Sequence, residues 1–212
     1  MTTAGFRDLL EIQRQFRYNL NDFFLDKHPP LIPRDQILEV TERMLADGSV
    51  HIPLDVEGAR AAVAHARDAG AEALAVVFLH SYANPAHEAA VRELAREIAP
   101  GLPVILSSDV SPQYREYERT NTTVVNAYIT PRFSQYLGRS HRPPRRARIR
   151  APPLRDAEQR GIATADTAAT FPVRSLDSGP AAGPSSPRTS AASPATRISS
   201  PSTWAAPPPR PA

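Results

Sequence analysis

The chain has 212 residues, with 23 Pro, 25 Lys or Arg, 22 Asp or Glu and no Cys. The lack of cysteine excludes a disulfide scaffold, a thiol nucleophile and a cysteine-ligated zinc or iron–sulfur centre, and no apolar run approaches the ~18 residues of a membrane-spanning helix. Met1 is followed by Thr-Thr-Ala-Gly-Phe-Arg-Asp, with neither the basic start nor the apolar stretch of a secretory signal, so a cytoplasmic protein is expected.

Charge and proline divide the chain after Gly138. Residues 1–138 hold 13 Lys or Arg against 18 Asp or Glu, whereas residues 139–212 hold 12 Arg against 4 acidic residues and 14 of the prolines. Of the 14 aromatic residues only Phe171 and Trp204 lie in the second part. Such a segment buries too little apolar area to offset its chain entropy, so a disordered tail is expected over 139–212. The run His141 to Arg150 could suggest a nucleic-acid contact, but no aromatics are interleaved for base stacking and prolines break any basic helix.

Within 1–138, Gly5 to Gln15 reads as a short helix with Phe6, Leu9, Leu10 and Ile12 on its apolar stripe. Asn19 to Arg34, with its run His28-Pro-Pro-Leu-Ile-Pro33, reads as extended and irregular. Ile37 to Met44 and Val50 to Leu54 read as a β-hairpin turned by Asp47-Gly48, with Pro53 placing the second strand at an edge or ending it. Asp55 is an N-cap for a helix over Val56 to Asp68, stopped at Gly70. Ala73 to Leu79 is a continuous apolar run of the kind found in a strand buried on both faces. A helix follows from Pro85, with Val91, Leu94 and Ile98 on one face, and ends at Pro100-Gly101. Pro103 to Leu106 is a second short buried strand, and Glu118 to Leu137 a longer helix kinked at Pro131. This order predicts an α/β fold, with 56–106 long enough for a βαβ crossover.

Three clusters carry candidate chemistry. His80-Ser81-Tyr82 lies just past the first buried strand, on the edge where α/β sheets bind ligands. His80 and His87 could share a metal with a carboxylate; alternatively, Glu88 serves the dipole of a helix start and His80 is hydrogen-bonded in a loop. Ser107-Ser108-Asp109 leaves the second strand on the same edge, where it could hold a phosphate or carboxylate or simply form a cap. Tyr114 to Thr120 packs two carboxylates, two Arg and two Tyr into seven residues: either a surface laced by i, i+3 ion pairs or an anion clamp. No P-loop, dinucleotide fingerprint, serine elbow or zinc-helix motif is present.

Several stretches resemble the hydantoinase A/5-oxoprolinase family, which is also related to acetone carboxylase subunits. They are Thr2 to Gln15, Pro29 to Arg34, Val77-Phe-Leu-His-Ser-Tyr-Ala-Asn-Pro-Ala-His-Glu88 and Arg115-Glu-Tyr-Glu-Arg-Thr-Asn-Thr-Thr-Val-Val-Asn-Ala-Tyr128. The resemblance covers residues 2 to about 138. It implies the βαβ-containing N-terminal region of an actin-like ATPase-type subunit, acting with ATP and Mg2+ to open a cyclic amide such as a hydantoin or 5-oxoproline, alongside a hydantoinase B-type partner and with neither membrane nor nucleic acid. The phosphate-binding segments of that family, one Asp- and Gly-rich and one Asp-Met-Gly-Gly-Thr-Thr, are not readable here, so this chain is expected to bind nucleotide weakly and to be inactive by itself. His80, Ser108, Glu116, Arg119, Thr120 and Asn126 are the candidates for what remains of a substrate or anion site; no metal site and no catalytic residue is assigned.

The tail carries a further signal. Gly161 to Gly183 again resembles the family, as an island between unlike flanks. Back-translated with GC-rich codons and shifted by one base, Arg155 to Arg160 can read Val-Met-Gln-Ser-Asn. Thr196 to Pro211 can read Asp-Pro-Asp-Leu-Ile-Ser-Phe-Asp-Met-Gly-Gly-Thr-Thr-Ala-Lys-Ala. The expectation is a fragment whose frame is lost near Ser140, regained near Gly161 and lost again near Pro184, by gene decay or sequencing error. The basic tail is then a by-product of GC-rich codons, which displaces the nucleic-acid reading.

Overall fold

The computed structural model describes residues 1–15, 21, 24, 28–140, 154–157 and 161–176. In chain order the elements are β1 (Thr2–Thr3), α1 (Leu9–Ile12), a 3-10 turn at Arg34–Gln36, β2 (Glu39–Val40), β3 (Arg43–Met44), β4 (Val50–Ile52), α2 (Val56–Asp68) and β5 (Leu74–Val76). They continue with α3 (Ala86–Ile98), β6 (Val104–Leu106), α4 (Ser107–Val110), α5 (Glu116–Ser140), β7 (Leu154–Ala157), β8 (Gly161–Thr164), α6 (Ala165–Thr170) and a 3-10 turn at Pro172–Ser175.

The centre is a run of parallel strands. Thr2 and Thr3 pair with Glu39 and Val40, and Leu74, Ala75 and Val76 pair with Val104, Ile105 and Leu106. A bridge from Thr2 to Val77 joins the two pairs, giving the lateral order β2, β1, β5, β6. Alternate residues face opposite sides, and each side has its own core. Leu74, Val76, Phe78 and Leu106 pack with Ala59, Val63, Val91 and Ala95, under α2 and α3. Ala75 and Ile105 pack with Leu10, Val110, Val124 and Ala127, under α5. Both faces are covered, which is why the strand at 74–79 is apolar without alternation.

The mixed α/β class, helices α2 and α3 and strands β5 and β6 follow the pattern read from the sequence. The Asp55 carboxylate caps α2 by accepting from the Gly58 amide at 3.0 Å, and Gly70 ends it at φ 75°. A Cβ on Gly58 would come up against that carboxylate, which would have to shift to make room. Elsewhere the structure departs from expectation. The helix predicted over 5–15 shrinks to Leu9–Ile12, because the backbone leaves helical geometry at Gly5, φ 86°, and again at Gln13, φ 55°. The predicted hairpin splits. Glu39–Val40 join β1, and only Arg43–Met44 pair with Val50–Ile52, across a register shift. The Asp47-Gly48 turn forms as read, with Gly48 at φ 83°. Helix α5 starts at Glu116 and runs through Pro131 to Ser140 as one element. Beyond Gly138, the 154–157 and 161–164 strands pair antiparallel and lead into α6. The first part of the island expected at 161–183 thus carries β8, α6 and a 3-10 turn; its remainder and the basic run at 141–150 lie outside the described residues.

The last turn of the island docks on α5. The Asn126 side chain donates to the Thr170 carbonyl at 3.2 Å and accepts from the Val173 amide at 3.1 Å, and Phe171 and Val173 pack against the α5-side core.

One stability prediction follows from these contacts. Asp55→Ala removes the cap of α2 and should cost about 1 kcal/mol in urea unfolding of the chain.

Candidate functional site

The exits of β5 and β6 lie on the edge where parallel sheets take ligands. Past β5 the backbone turns at His80, whose φ of 53° is left-handed for a residue with a side chain. The turn closes through the Ala83 and Asn84 amides onto the His80 carbonyl, at 2.9 and 3.2 Å. The first turn of α3 then carries His87 and Glu88 back over the strand exit.

Glu88 is fully buried. Its Oε1 accepts from the Phe78 amide at 2.9 Å and from the Ser107 hydroxyl at 2.6 Å, and its Oε2 accepts from the Ser108 amide at 2.9 Å. Arg119, from the first turns of α5, is also buried. Its Nη2 donates to the Phe78 carbonyl at 2.6 Å and its Nη1 to the Gln113 carbonyl at 3.2 Å. The Phe78 residue is thus held by an acid at its N–H and a base at its C=O. The guanidinium also lies 5.6 Å from the centre of the Tyr82 ring. Burial pushes the Arg119 pKa down, and the charges of Glu88, Tyr82 and Glu116 oppose that fall.

A second buried carboxylate stands beside the first. Glu42 accepts from the Thr3 hydroxyl and meets His87 Nδ1 at 2.8 Å. The same Thr3 hydroxyl accepts from the Leu79 amide at 3.0 Å. Consecutive amides at the end of β5 are therefore consumed by Glu88 and by Thr3. The Ser81 and Ser107 hydroxyls, 2.9 Å apart, tie the two strand exits together. Two buried polar atoms among the described residues have no hydrogen-bond partner: Ser108 Oγ and Arg119 Nε.

The six predicted site residues separate. His80, Ser108 and Arg119 belong to this edge. The His80 Nδ1 faces the Tyr82 hydroxyl at 3.3 Å. Thr120 lies next to Arg119, but its hydroxyl is spent on the Glu116 carbonyl at 2.6 Å. Glu116 is exposed at the start of α5. Asn126 is buried and engaged with the 164–176 segment. His80 and His87 engage Tyr82 and Glu42 respectively, so they do not converge on one point, and among the described residues no three His, Asp or Glu gather as metal ligands. The ion-pair lacing expected along 115–119 is replaced: Glu118 pairs with Arg14, Arg115 lies 5.2 Å from the centre of the Tyr114 ring, and Arg119 turns inward. Asp109 pairs with Arg92. Sequence reasoning missed Thr3 and Glu42, and read Glu88 as a helix-dipole residue. The signal available for Glu88 was its place one helical turn into α3, ten residues from Phe78. A cavity of about 540 Å³ between α1, α2 and α5 contains Thr120 and none of the other five.

This edge does not fit a nucleotide phosphate. The two amides and the hydroxyl that would receive one are already bound to a carboxylate of the chain itself.

Two family models match in chain order: the hydantoinase/oxoprolinase N-terminal region over residues 1–99 and hydantoinase/oxoprolinase over 119–186. The chain belongs to the hydantoinase/oxoprolinase family. It is 43% identical over 137 residues to an uncharacterized protein of Methanocaldococcus jannaschii, matching 65% of this chain and 20% of that one. It is 31% identical over 189 residues to the caprolactamase subunit alpha of Pseudomonas jessenii, covering 88% of this chain and 27% of the relative. Its fold superposes on a nucleotide-free acetone carboxylase with a TM-score of 0.68 at 26% identity, over 84% of this chain and 27% of that chain. The chain thus spans about a fifth to a quarter of these relatives.

Removing the Arg119 guanidinium leaves the Phe78 and Gln113 carbonyls without their charged donor. Arg119→Met should cost about 1–3 kcal/mol. Ser108→Ala deletes a hydroxyl with no partner and should be neutral or slightly stabilising. Thermal midpoints of the two variants, measured side by side, check both expectations.

Proposed function

We propose that this chain is the N-terminal part of an ATP-dependent hydantoinase/oxoprolinase-type subunit whose reaction opens a cyclic amide ring. The observation that carries this reading is the match of the two family models, in order, over 1–99 and 119–186. The relatives support the class: one is a caprolactamase, which by name acts on a lactam, and the other is an ATP-dependent acetone carboxylase. In this reading residues 1–138 are the family's N-terminal domain, and the actin-like nucleotide site, with its Mg2+, is built by segments other than those described. The role of the described residues is to fix the sheet edge. Glu88 and Arg119 hold the Phe78 backbone, and the turn at His80 projects from that fixed base.

A second, non-catalytic reading rests on the subunit naming of the relatives: association with a B-type partner without turnover. The two readings share one expectation for the chain as given, namely no turnover. Incubated with ATP, Mg2+ and 5-oxoproline or hydantoin, it should release phosphate at the background rate; release above background would refute inactivity. The gene separates the readings. If resequencing the locus restores one open frame through Asp-Met-Gly-Gly-Thr-Thr, and that product opens a cyclic amide at the expense of ATP, the catalytic reading stands. If the bases are as given, and the chain captures a B-type subunit without ATP hydrolysis, the second reading replaces it.

A further inference from the structure

The sheet edge described above has the parts of an anion site. It offers two backbone amides, at Phe78 and Ser108, the Ser107 hydroxyl, and the buried Arg119 guanidinium, whose Nε has no partner. The Ser108 hydroxyl, also buried and unpartnered, adds one more donor. All three engaged donors converge on the two oxygens of Glu88. We infer that Glu88 is the resident anion of this site: an internal carboxylate that fills the place an α/β sheet edge ordinarily gives to a phosphate or carboxylate ligand, with Arg119 as its counter-charge, and that thereby closes the edge to anionic ligands.

The geometry is specific. Glu88 arrives from α3, and its carboxylate spans the exits of β5 and β6, taking the Phe78 amide from one and the Ser107 hydroxyl and Ser108 amide from the other. A free anion would need the same donors and would meet a second negative charge within hydrogen-bond distance of them, at a fully buried position. Arg119 does not relieve this, because two of its nitrogens are committed to the Phe78 and Gln113 carbonyls. This inference goes beyond the proposed function. It concerns the ligands this edge refuses, and it stands or falls whether or not the family reaction is carried out.

The test is chemical rescue. Glu88→Ala removes all but the Cβ of the side chain and leaves a vacancy of about the size of acetate, lined by the freed donors. Its melting midpoint should rise with added acetate or inorganic phosphate, relative to chloride at equal ionic strength, with affinity at least about tenfold above that of the unaltered chain. Glu88→Gln keeps the volume filled, so it should show no such rescue. In the unaltered chain the Ser108 amide and Arg119 Nε resonances should stay in place on titration with either anion, a readout that does not depend on any variant folding. Movement of those resonances in the unaltered chain would overturn the inference. So would a Glu88→Ala chain that recovers nothing in acetate or phosphate.

Discussion

The strand exits depend on two buried charges acting through a single residue. Glu88 takes the N–H of Phe78 and Arg119 donates to its C=O. A charge removed from water costs several kcal/mol unless its hydrogen-bonding capacity is met. Glu88 meets the condition with three donors, from two different strand exits. Arg119 meets it less completely, with two carbonyls, an aromatic face and one nitrogen left over. The two charges tie α3 and α5, which cover opposite faces of the sheet, to Phe78, just past β5. Their contribution is therefore to position elements as much as to stabilise them.

The second constraint is the placement of β1. A two-residue strand is too short to be stable alone, yet Thr2 bridges β2 and β5 and so makes one sheet of two pairs. Thr3 extends the link by side chain, accepting from the Leu79 amide and donating a hydrogen bond to Glu42. Glu42 in turn meets His87 on α3, one residue before Glu88. The hairpin is fastened to the same region by Asn84, whose side chain donates to the Gly48 carbonyl at 2.9 Å. Two buried carboxylates thus lock the end of β5 from its two sides, each with partners of its own. This arrangement explains why so many of the buried polar residues lie near one edge rather than scattered through the core.

What could be read from the sequence was local. The cap at Asp55, the stop at Gly70, the apolar run ending at Leu79 and the turn at Asp47-Gly48 each have a short-range physical cause, and each appears as expected. The departures are non-local. Thr2 and Thr3 carry no strand signal of their own; their partner lies more than thirty residues away. The hairpin split for the same reason, since Glu39–Val40 had a competing partner. At the site, the charged stretch around Arg119 read equally as a surface laced by ion pairs and as an anion clamp, and on α5 the side chain turns inward to the sheet. Glu42 gave no signal, because nothing in its neighbourhood distinguishes a buried acid from an exposed one. His80 and Ser108 were legible because topology alone places strand exits on the ligand edge. Asn126 was singled out for a motif, and its structural use is different: it anchors a distant segment.

That anchor bears on the origin of the tail. After Gly138 the composition is uniform enough to suggest one featureless segment, yet the described residues 164–176 make specific contacts with the body of the fold. Asn126 engages Thr170 and Val173, while Phe171 and Val173 join Val124 and Ala127 in the α5-side core. Arg174 reaches the Val110 carbonyl and lies over the Phe171 ring. An aromatic, a β-branched residue and a backbone pair presented together to a buried asparagine are the marks of co-adapted packing, which low-complexity sequence does not supply. The hydantoinase/oxoprolinase match over 119–186 takes in both α5 and the segment that docks on it, so the contact lies inside one family unit.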